Sequence, residues 1–342
     1  MVGVLKKTSN RSKGAGQLMI VIVFIAIAAG CASALMFASI ISGALISLLL
    51  FYLAPLPLMV AALGWGPLCA TFGGTAAAAG IGAIFGLPYC IAFAITVALP
   101  AWWLGHLASL ARPANKDASS GDDASPAAPD LEWYPVGRIL LWIAGFVAMT
   151  TMAALLTVGT DAATITDALR RFLQRILDLR DVAPTPETEQ LINAFVTMAP
   201  AAAATFAMTT LTLNLWLAAK ITATSGRLHR PWPDLKSADL PPMTLAALCV
   251  AIAFCFTGGL LAILAQIVTS ALMMAYALTG FAVLHTLTLA LKSRALWLSG
   301  TYAIVVVFGW PVLAIVVLGL ADAVFGIRQR YLQGRPPPLA AS

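Results

Sequence analysis

Charge is what this sequence lacks most. Asp, Glu, Lys and Arg make up 10% of its 342 residues, and residues 14–111 contain none of the four. Soluble domains carry about 25% charged residues, so an uncharged block of that length excludes a fold whose connections all lie in water. Histidine is nearly as scarce: His106, His229 and His285 stand on three separate segments, which offers a metal ion no imidazole cluster. Cys31, Cys69, Cys90, Cys249 and Cys255 all lie inside apolar runs, are odd in number and form no CxxC. They read as small hydrophobes, which excludes a disulfide framework and a thiolate metal site. The spacings HExxH, GxSG, GxGD and GxxxxGK[ST] are missing too, and with them the usual marks of an intramembrane protease or a phosphate loop. The sequence thus indicates no catalytic residue, no metal and no cofactor.

What the chain has instead is apolar length. Its residues are 61% hydrophobic, against about 45 to 50% in soluble proteins, and a transmembrane helix needs about 20 mostly apolar residues. The fold class is therefore all-α: a polytopic transmembrane bundle of about eight or nine spans with one interfacial amphipathic helix. The net charge of +6 does not imply nucleic acid. Lys and Arg sit beside the apolar segments, where they set orientation and meet anionic headgroups, so the partner they imply is the lipid bilayer. The expected location is a bacterial inner membrane with the N-terminus in the cytoplasm.

Residues 1–16, with Lys6, Lys7, Arg11 and Lys13, form a basic cytoplasmic tail. The first apolar run reaches Ala28-Ala29-Gly30-Cys31, a loose mimic of a lipoprotein signal, but no polar region follows and it reads as an uncleaved span. Residues 17–111 hold four spans. Pro55 and Pro57 interrupt the second, and a broken helix survives in lipid only where protein or water satisfies the freed carbonyls, so both prolines are candidates for lining a cavity. In the third, Gly82 and Gly86 stand at GxxxG spacing and Gly74 and Ala78 at the related small-xxx-small spacing, a face for close helix packing and, on a functional reading, for sliding. Trp102, Trp103 and His106 close the fourth as an interfacial belt; the other reading of His106 is a proton relay.

Residues 112–135, rich in Pro, Ala, Ser and Asp, form an acidic flexible linker. Residues 136–327 hold about five further spans. Within them, 163–180 is an amphipathic helix, with Ile165, Leu169, Phe172, Leu173 and Ile176 on one face and Arg170, Arg171, Gln174, Arg175 and Asp178 on the other. Asn214 and Trp216 lie in one apolar run, Gln266 and His285 in another. A buried amide either bonds neighbouring helices together or orients a ligand, and Asn214, Trp216, Gln266 and His285 join the two prolines as candidate cavity residues. Gly309-Trp310-Pro311 should kink the last run, and Asp322 lies near Arg328 and Arg330 as an end-of-helix charge. Residues 328–342 form a disordered tail. Nine spans put most Lys and Arg on the cytoplasmic side but leave Arg328, Arg330 and Arg335 outside; a divided helix at Gly309–Pro311, or eight or ten crossings, removes that conflict.

The stretches LAPLPLMVAALGWGP, ALPAWWLGHLASLAR, WYPVGRILLW, LNLWLAAKITATSGRLHRPWPDL, GFAVLHTL and FGWPVLAIVVLGLADAVFGIRQR resemble the YybS-like family of bacterial membrane proteins (domain of unknown function 2232), and are closest to its alphaproteobacterial members. The resemblance spans nearly the whole chain except the linker and the amphipathic segment, and it implies an architecture rather than an activity. The family in turn is similar to the vitamin-binding membrane subunits of energy-coupling-factor transporters, which meet a partner subunit through AxxxA spacing on their first helix. Ala28 with Ala32, and Ala34 with Ala38, have that spacing here.

Three functions follow from these readings. The first is a small-molecule permease or transporter substrate-binding subunit with its solute among broken helices. The second is a membrane structural or assembly protein acting through helix contacts. The third is an enzyme on a lipidic substrate near His229 or His285, of whose motifs SGRLHRP at 225–231 supplies only half.

Overall fold

The computed structural model describes residues 2–113, 131–176, 185–233 and 238–333. The protein is a multi-pass integral membrane protein. Among the described residues seven helices are long and apolar enough to cross a bilayer, or eight if one bent pair counts as a single span. Its contacts divide it into two compact units, Met1–Tyr134 with Thr210–Trp232, and Pro135–Thr209 with Pro233–Ser342.

The first unit contains α1 (Val2–Ala38), α2 (Leu45–Leu53), α3 (Pro55–Trp65), α4 (Pro67–Phe85), α5 (Leu87–Phe93) and α6 (Leu99–Ser109). Helix α1 reaches back to Val2, so residues 2–16 of the basic segment are helical. They contain no proline, and helix propagates readily from the apolar run that follows. Helices α1 and α4 pack at very close range: Cys69 Sγ donates to the Ile22 carbonyl at 3.7 Å, and a Cβ on Gly73 would overlap the Ala26 carbonyl oxygen. Pro55 and Pro57 stand in the first turn of α3, where a missing N–H has no helical acceptor to lose. Helices α2 and α3 therefore still make one span, Ile46–Trp65. Gly86 corrects the expected packing face: it sits at φ +94° in the turn between α4 and α5, a conformation that favours glycine. Pro100 removes the donor that would bond Thr96, and the helix widens to a π-turn over Ala94–Ala98 before α6.

The linker departs from expectation at its ends. β1 (Ala111–Pro113) pairs antiparallel with β2 (Leu131–Trp133), and Arg112 meets Glu132 at 2.8 Å. Residues 114–130, where the flexible linker was expected, lie outside the described residues.

The second unit contains α7 (Val136–Val158), α8 (Ala162–Ile176), the first part of α9 (Pro186–Thr224), α10 (Met243–Cys255), α11 (Gly259–Leu287), α12 (Arg294–Phe308), α13 (Val312–Phe325) and α14 (Ile327–Gln333). The end of α9, from Thr210, belongs to the first unit. Helix α11 is the centre of the second, flanked by α7, α10 and α13. The run 295–327 is two helices, divided at Gly309–Pro311 with Gly309 at φ +69°. Among the described residues two apolar helices stay below spanning length, α10 with 13 residues and α12 with 15; α10 is the shorter. At about 1.5 Å rise per residue it is roughly 20 Å long, short of a hydrocarbon core of about 30 Å. Helix α8 covers 162–176, and the remainder of the expected amphipathic segment, 177–180, lies outside the described residues. The chain beyond 327 is not a loose tail at its start: residues 328–333 belong to α14, while 334–342 are outside the described residues.

Candidate functional site

The second unit contains a cavity of about 620 Å³ where α11, α13, α14 and the segment before α10 meet. Its wall combines Tyr276 and Thr279 of α11, Gly319 and Asp322 of α13, Asp239, and the Arg328, Gln329 and Gln333 face of α14. Two features of the sequence build it. Glycines bring the walls together: a Cβ on Gly280 would overlap the Ile315 carbonyl oxygen, one on Gly319 the Tyr276 carbonyl oxygen, and one on Gly137 the Asp239 carbonyl oxygen. Small residues at a helix crossing let backbones approach in this way. The other feature is the end of α13. Gly326 adopts φ +62° and its N–H donates to the Asp322 carbonyl at 2.8 Å, a left-handed cap that stops the helix. Helix α14 leaves at a bend of 66°.

That bend carries Arg328 back over the end of α13. Its backbone N–H donates to Asp322 Oδ1 at 2.8 Å and its Nε to Asp322 Oδ2 at 2.7 Å. Its Nη2 also donates to the Ala238 carbonyl at 3.3 Å and pairs with the Asp239 carboxylate. Arg328 is 3% exposed and Asp322 7%, while the Asp239 side chain is 56% exposed. A charge in so dry a place is tolerated only when paired and hydrogen-bonded. Here one guanidinium is shared between a buried carboxylate, a half-exposed carboxylate and a carbonyl, so Asp322, read from the sequence as an end-of-helix charge, is part of a buried network at a break in a helix.

The residues singled out in the sequence lie elsewhere. None of Asn214, Trp216, Gln266, His285, Pro55 and Pro57 lines this cavity. Asn214 is 1% exposed and its Nδ2 donates to the Tyr52 carbonyl at 2.8 Å, bonding α9 to the end of α2 beside the proline break. Around that break Ala54, Leu58 and Met59 are fully buried, so the chain is packed there. Trp216 is 48% exposed. Gln266 is half-buried on α11, where its backbone carbonyl accepts from Ser270 Oγ at 2.7 Å. His285 belongs to a small cluster at the α11–α12 junction, with Nε2 2.9 Å from the Tyr302 hydroxyl and Nδ1 3.5 Å from Arg294 Nη2.

Trp102, Trp103 and His106 group on α6, the His106 ring stacked parallel to Trp102 at 6.2 Å. Gly74 faces Ala98 Cβ, and Gly82 faces Cys90 Cβ, both at close range. The tightest glycines, Gly137, Gly280, Gly319, Gly30 and Gly73, escape the sequence reading; the available signal is a glycine inside an apolar helix, which needs a packing reason to be tolerated. Among the described residues no group of three or more His, Cys, Asp and Glu side chains is placed to hold a metal ion. No protein-family model, curated protein or solved structure matches the chain.

Proposed function

We propose that this protein is a small-molecule permease or a transporter substrate-binding subunit, and that the cavity between α11, α13 and α14 receives a small polar solute. The observation that carries the reading is the coincidence of a helix break at Gly326 with a buried ionic network and a cavity of about 620 Å³. Small-molecule sites occupy roughly 300 to 1,000 Å³, and transporters bind their cargo where helices are interrupted and ionisable groups lie in the apolar layer. The AxxxA spacing of Ala28 with Ala32 and Ala34 with Ala38, a resemblance read from the sequence alone, is in keeping with a membrane partner subunit. On this reading the protein works in a bacterial inner membrane.

The test is a thermal-unfolding screen of the full-length protein in lipid nanodiscs against vitamins and nucleobases, followed by uptake of any stabilising compound into proteoliposomes. A stabilising compound whose effect disappears in Gln329→Trp, a substitution at the exposed rim of the cavity, is the expected result. Absence of any shift for the wild-type chain, or equal binding by Gln329→Trp, overturns the reading. The second reading, an assembly protein acting through helix contacts, draws on Asn214, whose amide serves a neighbouring helix. It predicts instead a copurifying membrane protein that is lost when residues 162–176 are deleted.

A further inference from the structure

Independently of the solute cavity, we propose that the first unit carries a docking surface for the phosphate headgroups of anionic phospholipids at the end where α3 and α9 finish. The surface is made by a turn. Gly226 adopts φ +68°, and the N–H groups of Arg227 and Leu228 both donate to the Thr222 carbonyl, at 2.9 and 3.1 Å. This folds the chain back across the end of α3. Gly64 leaves room for it, since a Cβ there would lie 3.3 Å from Thr222 Cγ2.

Two cations are thereby seated on two indoles. The Arg227 guanidinium lies 4.7 Å from the Trp65 ring centroid and the Lys220 ammonium 4.8 Å from that of Trp232. Arg230 follows in the same segment, half-buried. Helix α6, with Trp102, Trp103 and His106, packs against α3 through Gly105 and Ala62. Among the described residues the ion pair within this unit is Arg112 with Glu132, and Lys220, Arg227 and Arg230 pair with no described carboxylate.

Stacking on an indole holds a cation in place without neutralising it, because the ring offers a quadrupole rather than a full charge. Tryptophan also settles at the boundary between hydrocarbon and headgroups. Preorganised cations on rings at that boundary, unpaired with any carboxylate among the described residues, complement a lipid phosphate whose glycerol and acyl chains lie against the exposed apolar side chains of α9, such as Ile221. A water-soluble phosphate ester would gain the charge contacts but bury none of that apolar surface.

The experiment uses the full-length protein in nanodiscs of phosphatidylcholine alone or mixed with phosphatidylglycerol, with lipids retained after detergent extraction counted by native mass spectrometry. Preferential retention of phosphatidylglycerol is expected. It should fall about tenfold or more in the double variant Lys220→Gln, Arg227→Gln, since each basic group near an anionic surface contributes about a fivefold effect, and be intact in Arg112→Gln, whose partner is Glu132. Arg227→Lys, which keeps the charge and loses the planar guanidinium, should fall between. If the double variant is poorly folded in phosphatidylcholine, Lys220→Gln alone is read in its place. Equal retention of the two lipids, unchanged retention in the Gln variants, or displacement of phosphatidylglycerol by soluble glycerol phosphate overturns the proposal.

Discussion

Arg328 and Asp322 hold each other along two edges, backbone N–H to Oδ1 at 2.8 Å and Nε to Oδ2 at 2.7 Å. Removing one member of a buried pair leaves the other charge dry and uncompensated, a loss of about 3 to 5 kcal/mol. Asp322→Asn should therefore destabilise the protein by about 3 kcal/mol, the lower end, because Asp239 still shares the guanidinium. The double variant Asp322→Leu, Arg328→Met removes both charges and should recover most of that loss. Unfolding transitions of the three proteins in the same detergent check it; a wild-type transition for Asp322→Asn would show the pair to be dispensable.

The glycines that seat α13 on α11 admit no methyl group. A Cβ at Gly280 or Gly319 meets backbone oxygen rather than a movable side chain, so the helices must separate. Gly280→Ala and Gly319→Ala should each destabilise by about 1 to 3 kcal/mol, the usual range for overpacking. Gly300, in α12, is open: a Cβ added there would have no atom within 4 Å. Gly300→Ala should be neutral or stabilising by up to about 1 kcal/mol through helix propensity. Parallel thermal melts of the three variants distinguish contact from propensity.

Helix positions were legible wherever apolar length alone decides them. The apolar run that follows the linker is α7, Val136–Val158, and Pro55 and Pro311 marked breaks because a residue without an N–H removes a helical hydrogen bond, although Pro200 is carried inside α9. The site was legible only in part. Asp322 and Arg328 are close enough in sequence to be read together, but Asp239 reaches Arg328 from 89 residues away, and no local pattern announces a pairing across that distance. The left-handed Gly326 looked like any glycine near a helix end. Gly280 and Gly319 gave no hint of their partners, because what makes them indispensable is the carbonyl on the facing helix. Conversely Pro55 and Asn214 drew attention as cavity formers. A first-turn proline loses no helical bond, and a single amide bonding to Tyr52 leaves the interior packed.

Asn214 supplies the donor that Tyr52 receives across α2 and α9, at 2.8 Å. Interhelical bonds of this kind contribute about 0.6 to 2 kcal/mol. Asn214→Leu, close in volume, should lower stability by about 1 kcal/mol. If solute binding in the second unit is then unchanged, Asn214 holds helices together; a loss of solute binding in a variant of normal stability would return it to the ligand-orienting role.

Asp161 caps α8 through Thr164, whose backbone N–H donates to Oδ1 at 2.9 Å and whose hydroxyl donates to Oδ2 at 2.6 Å. An acidic side chain in this position satisfies an amide that the first helical turn leaves without a partner. The same bonds favour the ionised form, and the Asp161 carboxyl is held below the ordinary carboxylate range, the Thr164 hydroxyl contributing most. A depressed folded-state pKa means that the cap is fully present above the unfolded value, about 3.9, and is lost as pH falls through the lower folded value. Hydrogen exchange over residues 162–176 should show protection at neutral pH that declines in acid. Asp161→Ala should lack it at neutral pH, whereas Asp161→Ser, which keeps an acceptor but no titrating group, should retain most of it and show no acid decline. Equal protection in the wild-type and alanine proteins at neutral pH would mean that the tertiary contacts of Ile165, fully buried beneath the helix, hold α8 without its cap.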